Sequence, residues 1–404
     1  MERVPESSSG RPESLARADE APGAGPLRSG SLAAPRAALL LNGGGISAAA
    51  WELGCLAALD ETFGAGFCSH FFDIHIGVSA GAVVAALAAN GVRPATVRRD
   101  ILNDRDGAFN LKRTNVYRID TWRALGKGWD AMRQLARILH GYRREGIEFS
   151  IFDLVDVVQE LLPSGIFSLT PLQKHLARTF AAEGCPDRFA DLGRELYIPA
   201  IDLDRGERVV FGEKGQRDVL VSEAIAASCA IPAFFRPYRI GARSFIDGCM
   251  GGHCHVDLAI RHGATLLVVV NPLVPIRCEP DRSTLPSATN GQPCGVADLG
   301  ISFVGDQAFR ILSRERLVTA LELCRRARPE VDILLIEPSR DEPLLFLNGP
   351  LSFRARGRIL EHGYETTLRD LEAHENAYRE LFSRHGTPPA PALAEGAGAV
   401  GDAP

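Results

Sequence analysis

Ser79 stands at the centre of a glycine-flanked turn between a predicted strand and a predicted helix. The segment reads Gly-Val-Ser-Ala-Gly, with Gly77 two positions before the serine and Gly81 two positions after it. Glycines at these positions leave room for a sharp, strained turn that presents the serine hydroxyl. The positive end of the following helix would favour negative charge on that oxygen and on an attacked carbonyl. The pattern predicts a nucleophilic serine, and the alternative is a glycine-rich turn with an inert serine.

A second glycine-rich turn precedes the serine in the chain. Gly43, Gly44 and Gly45 follow the first predicted strand and open the first predicted helix. Successive glycines let backbone N–H groups converge on one point, where they hold an oxyanion or a phosphate. A nucleotide site is the weaker interpretation, because Ala48 stands where G-x-G-x-x-G needs its third glycine and no P-loop Lys-Ser/Thr pair follows. A plain tight turn is the simplest alternative, but the two glycine turns together predict a nucleophile with its oxyanion hole.

Short apolar runs alternate with helical patterns, and these elements must position the two turns. The predicted strands are 37–41, 72–76, 196–203, 208–211, 244–246, 265–270 and 332–336, and the predicted helices next to the glycine turns are 48–60 and 80–89. The third and fourth predicted strands, 196–203 and 208–211, form a predicted hairpin around the turn signal Asp204-Arg205-Gly206. Strands interleaved with helices indicate an α/β fold with a mostly parallel central sheet that is covered on both faces.

Composition and charge limit the functions that this chain of 404 residues can have. With 46% hydrophobic and 24% charged residues it is an ordinary globular sequence, and its formal net charge of -5 lacks the positive field of a nucleic-acid-binding protein. Nine cysteines without a repeated spacing argue against a disulfide framework and for a reducing, cytoplasmic compartment. Neither a signal peptide nor an apolar stretch long enough to span a membrane is predicted.

Three blocks of sequence, in their order and separation, resemble the patatin-like phospholipase family. The first is 42–56, NGGGISAAAWELGCL, and the second is 76–87, IGVSAGAVVAAL. The third combines Ala226–Phe235, similar to the family's A-S-x-A-I-P-x-x-F segment, with Asp247-Gly248, similar to its Asp-Gly motif. Each block alone is unspecific, whereas the three together are specific to the family.

The chain departs from the family pattern at two places. Ser47 and Ala48 stand where a basic residue and a glycine are usual, so the loop has lost a positive charge that would attract anions. Cys249 replaces the common glycine or alanine after Asp-Gly. The second change leaves Asp247 itself in place.

The resemblance implies a catalytic Ser–Asp dyad without histidine. In this dyad Asp247 accepts the Ser79 proton while an acyl-enzyme forms, and water later releases the fatty acid. Because an ordinary aspartate has a pKa of about 3.9, the carboxylate must be partly desolvated and the alkoxide must be stabilised by the helix end and by loop amides. The N–H groups of Gly44 and Gly45, with Gly43 shaping the turn, are the predicted oxyanion hole. The expected activity is hydrolysis of fatty-acyl esters of phospholipids or other lipids, with no cofactor.

Two other uses of the residues near Asp247 stay open. A Ser–Asp–His triad would use one of the histidines that follow Asp247 in the chain, which are His253, His255, His262 and His362. The cluster Cys249, His253, Cys254 and His255 invites comparison with metal sites. Its crowded spacing matches no familiar tetrahedral pattern, and no metal is expected.

Two other functions also stay open. Transfer of the acyl group to an alcohol would use the same acyl-enzyme as hydrolysis, so the sequence does not separate the two reactions. A catalytically silent lipid-binding or scaffolding protein is the alternative outside enzymes. The presence of both Ser79 and Asp247 argues against a silent protein.

The resemblance also sets the predicted domain organisation. It covers roughly 37–275, which implies a patatin-like catalytic domain with three α/β/α layers around a mostly parallel sheet. A C-terminal extension at 276–385 is predicted to be helical with one strand, and no chemistry is assigned to it. Segments 1–36 and 386–404 are rich in Pro, Gly and Ala and are predicted to be disordered.

A basic, aromatic insertion at 103–150 interrupts the predicted catalytic domain and is a candidate lid. Within 117–144 the apolar residues recur at helical spacing, and the cations lie largely elsewhere on the helical wheel. The apolar residues are Trp122, Leu125, Trp129, Met132, Leu135, Ala136 and Leu139, and the cations are Arg123, Lys127, Arg133 and Arg137. Such a helix would lie at a bilayer interface, so peripheral membrane contact is expected. The alternative is a helix packed on its own domain, because Gly126 and Gly128 weaken it.

Overall fold

A computed structural model of the chain describes residues 34–105, 107–119, 133, 137, 140, 164–251, 255–278, 285–286 and 291–386. Most of the predicted amphipathic segment 117–144 and of the two predicted disordered ends lies outside the described residues, as do 252–254 of the predicted histidine and cysteine cluster. None of the described helices is both long enough and apolar enough to cross a membrane.

The described chain alternates strands and helices. The strands are β1 Ala37–Leu41, β2 Ile74–Gly77, β3 Arg118–Ile119, β4 Gly165–Ser168, β5 Glu195–Asp202, β6 Glu207–Phe211, β7 Ala233–Phe235, β8 Tyr238–Ile240, β9 Arg243–Asp247, β10 Leu266–Val270 and β11 Asp332–Ile336. The helices are α1 Gly45–Phe63, α2 Phe67–His70, α3 Ala80–Ala89, α4 Pro94–Leu102, α5 Arg113–Val116, α6 Thr170–Ala182, α7 Val221–Ser228, α8 Val256–Arg261, α9 Ile301–Ala327, α10 Leu344–Leu347, α11 Arg356–Ala373 and α12 Glu375–Ser383. Short 3-10 turns occupy Phe189–Asp191, Gly248–Gly251 and Val296–Leu299.

The central sheet has the strand order β11-β10-β1-β2-β5-β9-β8, with β6 also paired to β5. The five strands from β11 to β5 are mutually parallel, whereas β6, β9 and β8 join as antiparallel strands. A small separate sheet has the order β3-β4-β7. The predicted α/β fold with a mostly parallel central sheet is therefore confirmed.

The two faces of the sheet carry two separate cores. In β1, Leu39 and Leu41 point into a larger core with α1, α3 and α11, while Ala38 and Leu40 point into a smaller core with α8 and α9. A parallel strand that is buried on both faces reads as a continuous apolar run, which is why β1 is so easily recognised in the sequence. Helices on both faces of the sheet confirm the three α/β/α layers.

Most predicted elements near the site have the predicted bounds. The strands at 37–41 and 332–336, the helix at 80–89 and the hairpin made by β5 and β6 are confirmed. Helix α1 begins at Gly45 rather than at 48, because the glycine loop itself enters the first turn. Strand β2 begins at Ile74 rather than at 72, because Phe72 packs into an aromatic cluster with Phe67 and Phe71.

The C-terminal segment, 276–385, contributes to both the sheet and the larger core. Strand β11 pairs with β10 in parallel, so it is the edge strand of the central sheet. Helix α11 lies against α1 at very close range: a Cβ at Gly54 would lie 2.1 Å from the Leu360 carbonyl oxygen, and one at Gly363 would lie 2.5 Å from the Trp51 carbonyl oxygen. Only glycine allows two helix backbones to approach so closely.

Candidate functional site

The glycine loop and the serine turn lie side by side because β1 and β2 are parallel neighbours. Leu41, the last residue of β1, is in register with Gly77, the last residue of β2. The backbone N–H of Val78 donates to the Leu41 carbonyl oxygen at 3.1 Å. Both turns therefore emerge from the carboxyl edge of the sheet, where open α/β sheets place their sites.

The serine turn is strained and is held by a buried hydrogen-bond chain. Ser79 has φ 54° and ψ -125°, a backbone conformation that non-glycine residues rarely adopt. Its N–H donates to the Ser228 Oγ at 2.9 Å, and the Ser228 hydroxyl donates to the Pro199 carbonyl oxygen at 2.7 Å. Ser228 was part of the third sequence block, but no role was predicted for it. Its signal in the sequence was the serine of A-S-x-A-I-P.

The flanking glycines are required by contact. A Cβ at Gly77 would lie 2.4 Å from the Gly81 carbonyl oxygen, and a Cβ at Gly81 would lie 2.4 Å from the Leu41 carbonyl oxygen. Real Cβ atoms do not approach other atoms so closely, so neither position accepts another residue without a shift of the backbone. The spacing predicted from the sequence is therefore a packing requirement of the turn.

The glycine loop touches the serine directly. A Cβ at Gly43 would lie 2.6 Å from the Ser79 Cβ and 2.7 Å from the Cys249 Sγ. Gly44 and Gly45 have φ 142° and φ 77°, values that favour glycine. The structure thus brings all three predicted loop glycines to the serine turn.

Several backbone N–H groups around Ser79 have no acceptor. Within the described ranges, the N–H groups of Gly43, Gly44, Gly45 and Ala80 donate to no backbone carbonyl or side chain. Ala80 follows the serine, and in hydrolases with this kind of turn the residue at that position supplies one oxyanion donor. These groups are available to a negatively charged oxygen beside Ser79.

The glycine loop is anchored by the C-terminal segment, which the sequence did not indicate. The N–H of Ile46 donates to the Pro350 carbonyl oxygen at 2.7 Å, and the Ser47 hydroxyl donates to the Asn348 carbonyl oxygen at 3.0 Å. A Cβ at Gly45 would lie 2.1 Å from the same Pro350 oxygen. Ser47, where the family usually has a basic residue, therefore serves here as an anchor of the loop.

Asp247 is the last residue of β9 and is 1% exposed. Asp247 pairs with Ala200 of β5, and the last β2 residue that pairs with β5 is Ile76, opposite Tyr197. The ends of β2 and β9 therefore lie close together. The N–H of Cys249 donates to the Asp247 Oδ1 at 2.9 Å. The Oδ2 accepts no hydrogen bond from the described residues. One carboxylate oxygen is thus fixed and the other is free to take a proton.

The carboxyl group of Asp247 faces the Ser79 hydroxyl. Burial raises the pKa of Asp247 to about 6, and the Ser79 hydroxyl and the Cys249 amide partly lower it again. Although Ser79 is near enough to affect this pKa, no hydrogen bond within 3.5 Å reaches the Oδ2. Ser79 therefore lies close to the Asp247 carboxyl group, while the Oδ2 has no hydrogen-bond partner among the described residues.

Gly248 completes this corner of the site. A Cβ at Gly248 would lie 2.2 Å from the Pro199 carbonyl oxygen and 2.7 Å from the Val78 Cγ2. The same Pro199 oxygen accepts the Ser228 hydroxyl. The Asp-Gly pair is therefore locked against the serine turn and is not a free surface turn.

Two cysteines flank the serine and the aspartate. The pKa of the Cys229 thiol is raised, first by burial and then by the charge of Asp247, while the Ser79 hydroxyl lowers it. The backbone N–H of Cys249 contacts Asp247, and its Sγ would lie 2.7 Å from a Cβ at Gly43. A thiol with a raised pKa stays protonated and is a poor nucleophile, so Cys229 does not compete with Ser79 for that role.

The serine and the aspartate line an apolar cavity of about 500 Å³. Four phenylalanines contribute most of its aromatic wall, and three of them come from the C-terminal segment. They are Phe234, Phe303, Phe309 and Phe346. A second, smaller cavity of about 60 Å³ also reaches Ser79 and is lined by Ile46, Val83, Leu169 and Leu172, among others. The sequence assigned no such role to the C-terminal segment, since the packing partners are remote in the chain.

The described histidines that follow Asp247 in the chain line neither of the two cavities at the serine. Nδ1 of His255 lies 3.0 Å from Arg208 Nη1, and His262 stacks on Tyr197. His362 lines a surface depression with Glu361 and Glu365. His253 and Cys254 lie outside the described residues. Among the residues that the structure describes, no group of three His, Cys, Asp or Glu side chains is arranged to hold a metal ion.

Two comparisons relate this chain to known proteins. The family model for patatin-like phospholipases matches residues 39–260, which is more than half of the chain. The crystal structure of VipD from Legionella pneumophila is similar at 15% sequence identity and a TM-score of 0.32, over 85% of this chain and 68% of that chain. The matched residues run from β1 to α8 and include the glycine loop, the serine turn and Asp247. The chain belongs to the patatin-like phospholipase family, a family of lipid acyl hydrolases.

Proposed function

We propose that this protein is a serine acyl hydrolase that cleaves fatty-acyl esters of phospholipids or other lipids. In this proposal Ser79 is the nucleophile, Asp247 is its base, and the N–H groups of Gly44 and Gly45, with Gly43 shaping the turn, stabilise the oxyanion. The observation that carries the proposal is that a buried Asp247, whose Oδ2 has no hydrogen-bond partner among the described residues, lies near enough to the Ser79 hydroxyl for Ser79 to lower its pKa, and that both residues line one apolar cavity.

The proposed reaction proceeds in two steps, acylation of Ser79 and hydrolysis of the acyl-enzyme. The Ser79 Oγ attacks the ester carbonyl carbon while its proton passes to the Asp247 Oδ2, and the resulting oxyanion is held by the free N–H groups. Asp247 then returns the proton to the departing alkoxide, which leaves an acyl-enzyme on Ser79. Water attacks the acyl-enzyme with Asp247 again taking a proton, the fatty acid departs, and the proton returns to Ser79.

Burial makes the aspartate a better base for this step. Because desolvation raises the pKa of Asp247 to about 6, its carboxylate holds a proton more readily than a solvated aspartate would. At neutral pH the group is still mostly ionised and able to accept a proton. The N-terminal end of α3, which begins next to Ser79, further favours negative charge on the serine oxygen.

The apolar cavity supports a long-chain substrate. Phe303, Phe309 and Phe346 line a space of about 500 Å³ next to Ser79, within the range of volumes that ligand pockets have. Transfer of an acyl chain from water to such a wall contributes about 0.8 kcal/mol per buried methylene. A lipid ester is therefore a better fit to the site than a short polar ester.

Exposed apolar side chains beside the cavity support peripheral contact with a membrane. Ile301 is 91% exposed and Val304 is 45% exposed, and the residues between and after them on α9 line the cavity. Phe234, on the rim, is 43% exposed. Side chains of this kind would enter the apolar boundary of a bilayer and bring the cavity to its substrate.

A vesicle assay tests this contact. We expect Ile301→Ser/Val304→Ser to bind phosphatidylcholine vesicles several-fold more weakly than the wild type, because two apolar side chains no longer enter the bilayer. Leu323→Ser is the matched control, because Leu323 is 59% exposed on the same helix but does not line the cavity. Equal vesicle binding by all three proteins would contradict the proposed contact between α9 and the membrane.

Hydrolysis by variants tests the proposed reaction. Wild-type protein should hydrolyse p-nitrophenyl esters and defined phospholipids, and Ser79→Ala and Asp247→Asn should each lower kcat at least a hundredfold. Asp204→Asn, a change in the exposed hairpin turn, is the control and should keep full activity. Unchanged hydrolysis in Ser79→Ala would end the proposal. Adding alcohol acceptors to the same assay separates hydrolysis from acyl transfer.

A further inference from the structure

A second recess, away from the serine, is lined mostly by polar and cationic side chains. It has a volume of about 650 Å³ and lies between the small sheet β3-β4-β7, the start of α6 and strand β8. Arg118, Lys174, Arg178, Arg236 and Arg239 line it. They come from three separate segments of the chain, 118, 174–178 and 236–239, so the fold and not a local run of basic residues brings them together.

The recess has no carboxylate of its own among the described residues. Within the same part of the chain, no ion pair joins Arg118, Lys174, Arg178 or Arg239 to an acidic side chain. Elsewhere in the molecule the arginines are commonly paired, as Arg98 is with Glu361 and Arg314 is with Glu337. Arg118, Lys174, Arg178 and Arg239 therefore produce a focused positive potential in this concave site.

The helix that lines the recess adds to this potential. Thr170 and Pro171, the first residues of the 13-residue helix α6, face the recess with the positive end of the helix dipole. His175 on the same helix has a lowered pKa, first because it is partly buried and then because of the charge of Arg178. The lowered pKa agrees with a region in which a further positive charge is unfavourable.

The cationic recess borders the small cavity of about 60 Å³ that reaches Ser79. Leu169 lines both the recess and the small cavity that reaches Ser79. The site thus has a cationic compartment on one side of Leu169 and an apolar compartment on the other. This matches the two ends of a phospholipid, whose headgroup is charged and whose chains are apolar.

We propose that this recess is a binding site for a phosphate-bearing anion, the chemistry shared by an anionic phospholipid headgroup and free phosphate. The guanidinium groups of Arg118 and Arg239 and the ammonium of Lys174 supply the charge-assisted hydrogen bonds that phosphate oxygens accept. The extension of this proposal to the substrate, that anionic phospholipids are preferred, rests on the proposed function. The binding site itself does not.

The test measures binding in a Ser79→Ala background, so that no lipid is consumed and catalysis plays no part. One arm measures sedimentation with phosphatidylcholine vesicles that contain phosphatidic acid, and with vesicles of phosphatidylcholine alone. The other arm measures the thermal shift produced by inorganic phosphate. Lys174→Gln/Arg178→Gln removes two exposed cations of the recess, and Arg325→Gln/Arg326→Gln removes two exposed cations at the end of α9 as a matched control.

We expect Lys174→Gln/Arg178→Gln to weaken binding to the phosphatidic acid vesicles about tenfold. The control should bind as strongly as the Ser79→Ala protein does. If only the phosphate-induced thermal shift is lost, the site is supported and its ligand is the free anion. Arg239→Gln, on β8, provides a second variant should the double substitution not fold. Binding in both arms that is the same in the recess variants and in the control would overturn the proposal. The proposed hydrolysis stands or falls separately, through p-nitrophenyl ester turnover by the wild type.

Discussion

At the scale of single residues, the protonation of Asp247 governs the proposed chemistry. The side chain is 1% exposed, its Oδ1 is held by the Cys249 amide, and burial raises its pKa to about 6. Only the ionised carboxylate is able to take the Ser79 proton. The same burial that strengthens the base therefore also sets the lowest pH at which the base is present.

The rate should follow this ionisation. Below its pKa Asp247 is protonated and inactive as a base, so kcat/KM for a neutral p-nitrophenyl ester should rise with pH, reach half its maximum at about pH 6 and then level off. A pH series on the wild-type protein measures this. A flat profile between about pH 5 and about pH 8 would contradict Asp247 as the base, because these two values lie on either side of the expected midpoint.

Residues that act within a local turn were predictable, whereas residues that reach the site from afar were not. Ser79, Gly77 and Gly81 form one continuous pattern, and the structure shows the contacts that require the two glycines. Asp247 was predicted only through the family resemblance, because Asp-Gly after a strand is by itself an ordinary turn. Ser228, which supports the strained Ser79 backbone, belongs to the A-S-x-A-I-P segment, but nothing in that local pattern indicates its contact with the distant Ser79.

At the scale of elements, two strand-to-helix turns have to meet with almost no space between them. Parallel pairing of β1 with β2 places the turns side by side, and the missing side chain of Gly43 lets the loop lie against Ser79. The free N–H groups of the loop are then close to the place where an oxyanion would form. A small displacement of the loop would remove these donors without unfolding the sheet.

Gly43→Ala should produce that displacement. The added Cβ would lie 2.6 Å from the Ser79 Cβ, so the loop must move away, and we expect kcat to fall about a hundredfold with little change in KM. Gly193→Ala is the control, because a Cβ at Gly193 would meet nothing within 4 Å. Steady-state kinetics and a thermal melt of both variants measure the effect. A Gly43→Ala protein with wild-type kcat would show that the loop does not contribute to the oxyanion hole.

The elements themselves were predictable where their pattern is uniform. The apolar runs of β1 and β10 belong to parallel strands buried between two layers, β11 is a partly buried strand at an edge of the same sheet, and the sequence pattern found all three. The start of α1 was missed, because glycine has a low helix propensity and the first turn of α1 is held by the remote Pro350 carbonyl oxygen. Local patterns do not contain such distant contacts.

At the scale of the whole molecule, the C-terminal segment belongs to the same folded unit as the site. Its strand β11 extends the central sheet, its helix α11 covers α1, and its Pro350 holds the glycine loop. It also supplies three phenylalanines of the cavity wall. The sequence assigned no chemistry to this segment, because no motif in it marks these contacts.

A chain that ends at residue 275 should therefore not fold. It loses the fully buried side chains Leu317, Leu321, Ile359, Leu360 and Leu371. Each contributes about 1.5–3 kcal/mol, and their sum is comparable to the whole stability of a domain, about 5–15 kcal/mol. We expect no cooperative melting transition from this chain, while a chain that ends at residue 386 should melt as the full-length protein does. A cooperative transition and ester hydrolysis by the shorter chain would contradict this role of the segment.

The most direct test of the account is the covalent labelling of Ser79. A fluorophosphonate reacts with an activated serine hydroxyl and with few other groups, and peptide mass spectrometry locates the adduct. We predict one adduct, on the peptide that contains Ser79, at a rate that falls at least a hundredfold in Asp247→Asn. Labelling at another residue, or labelling of Ser79 that is as fast in Asp247→Asn as in the wild type, would contradict the proposed dyad.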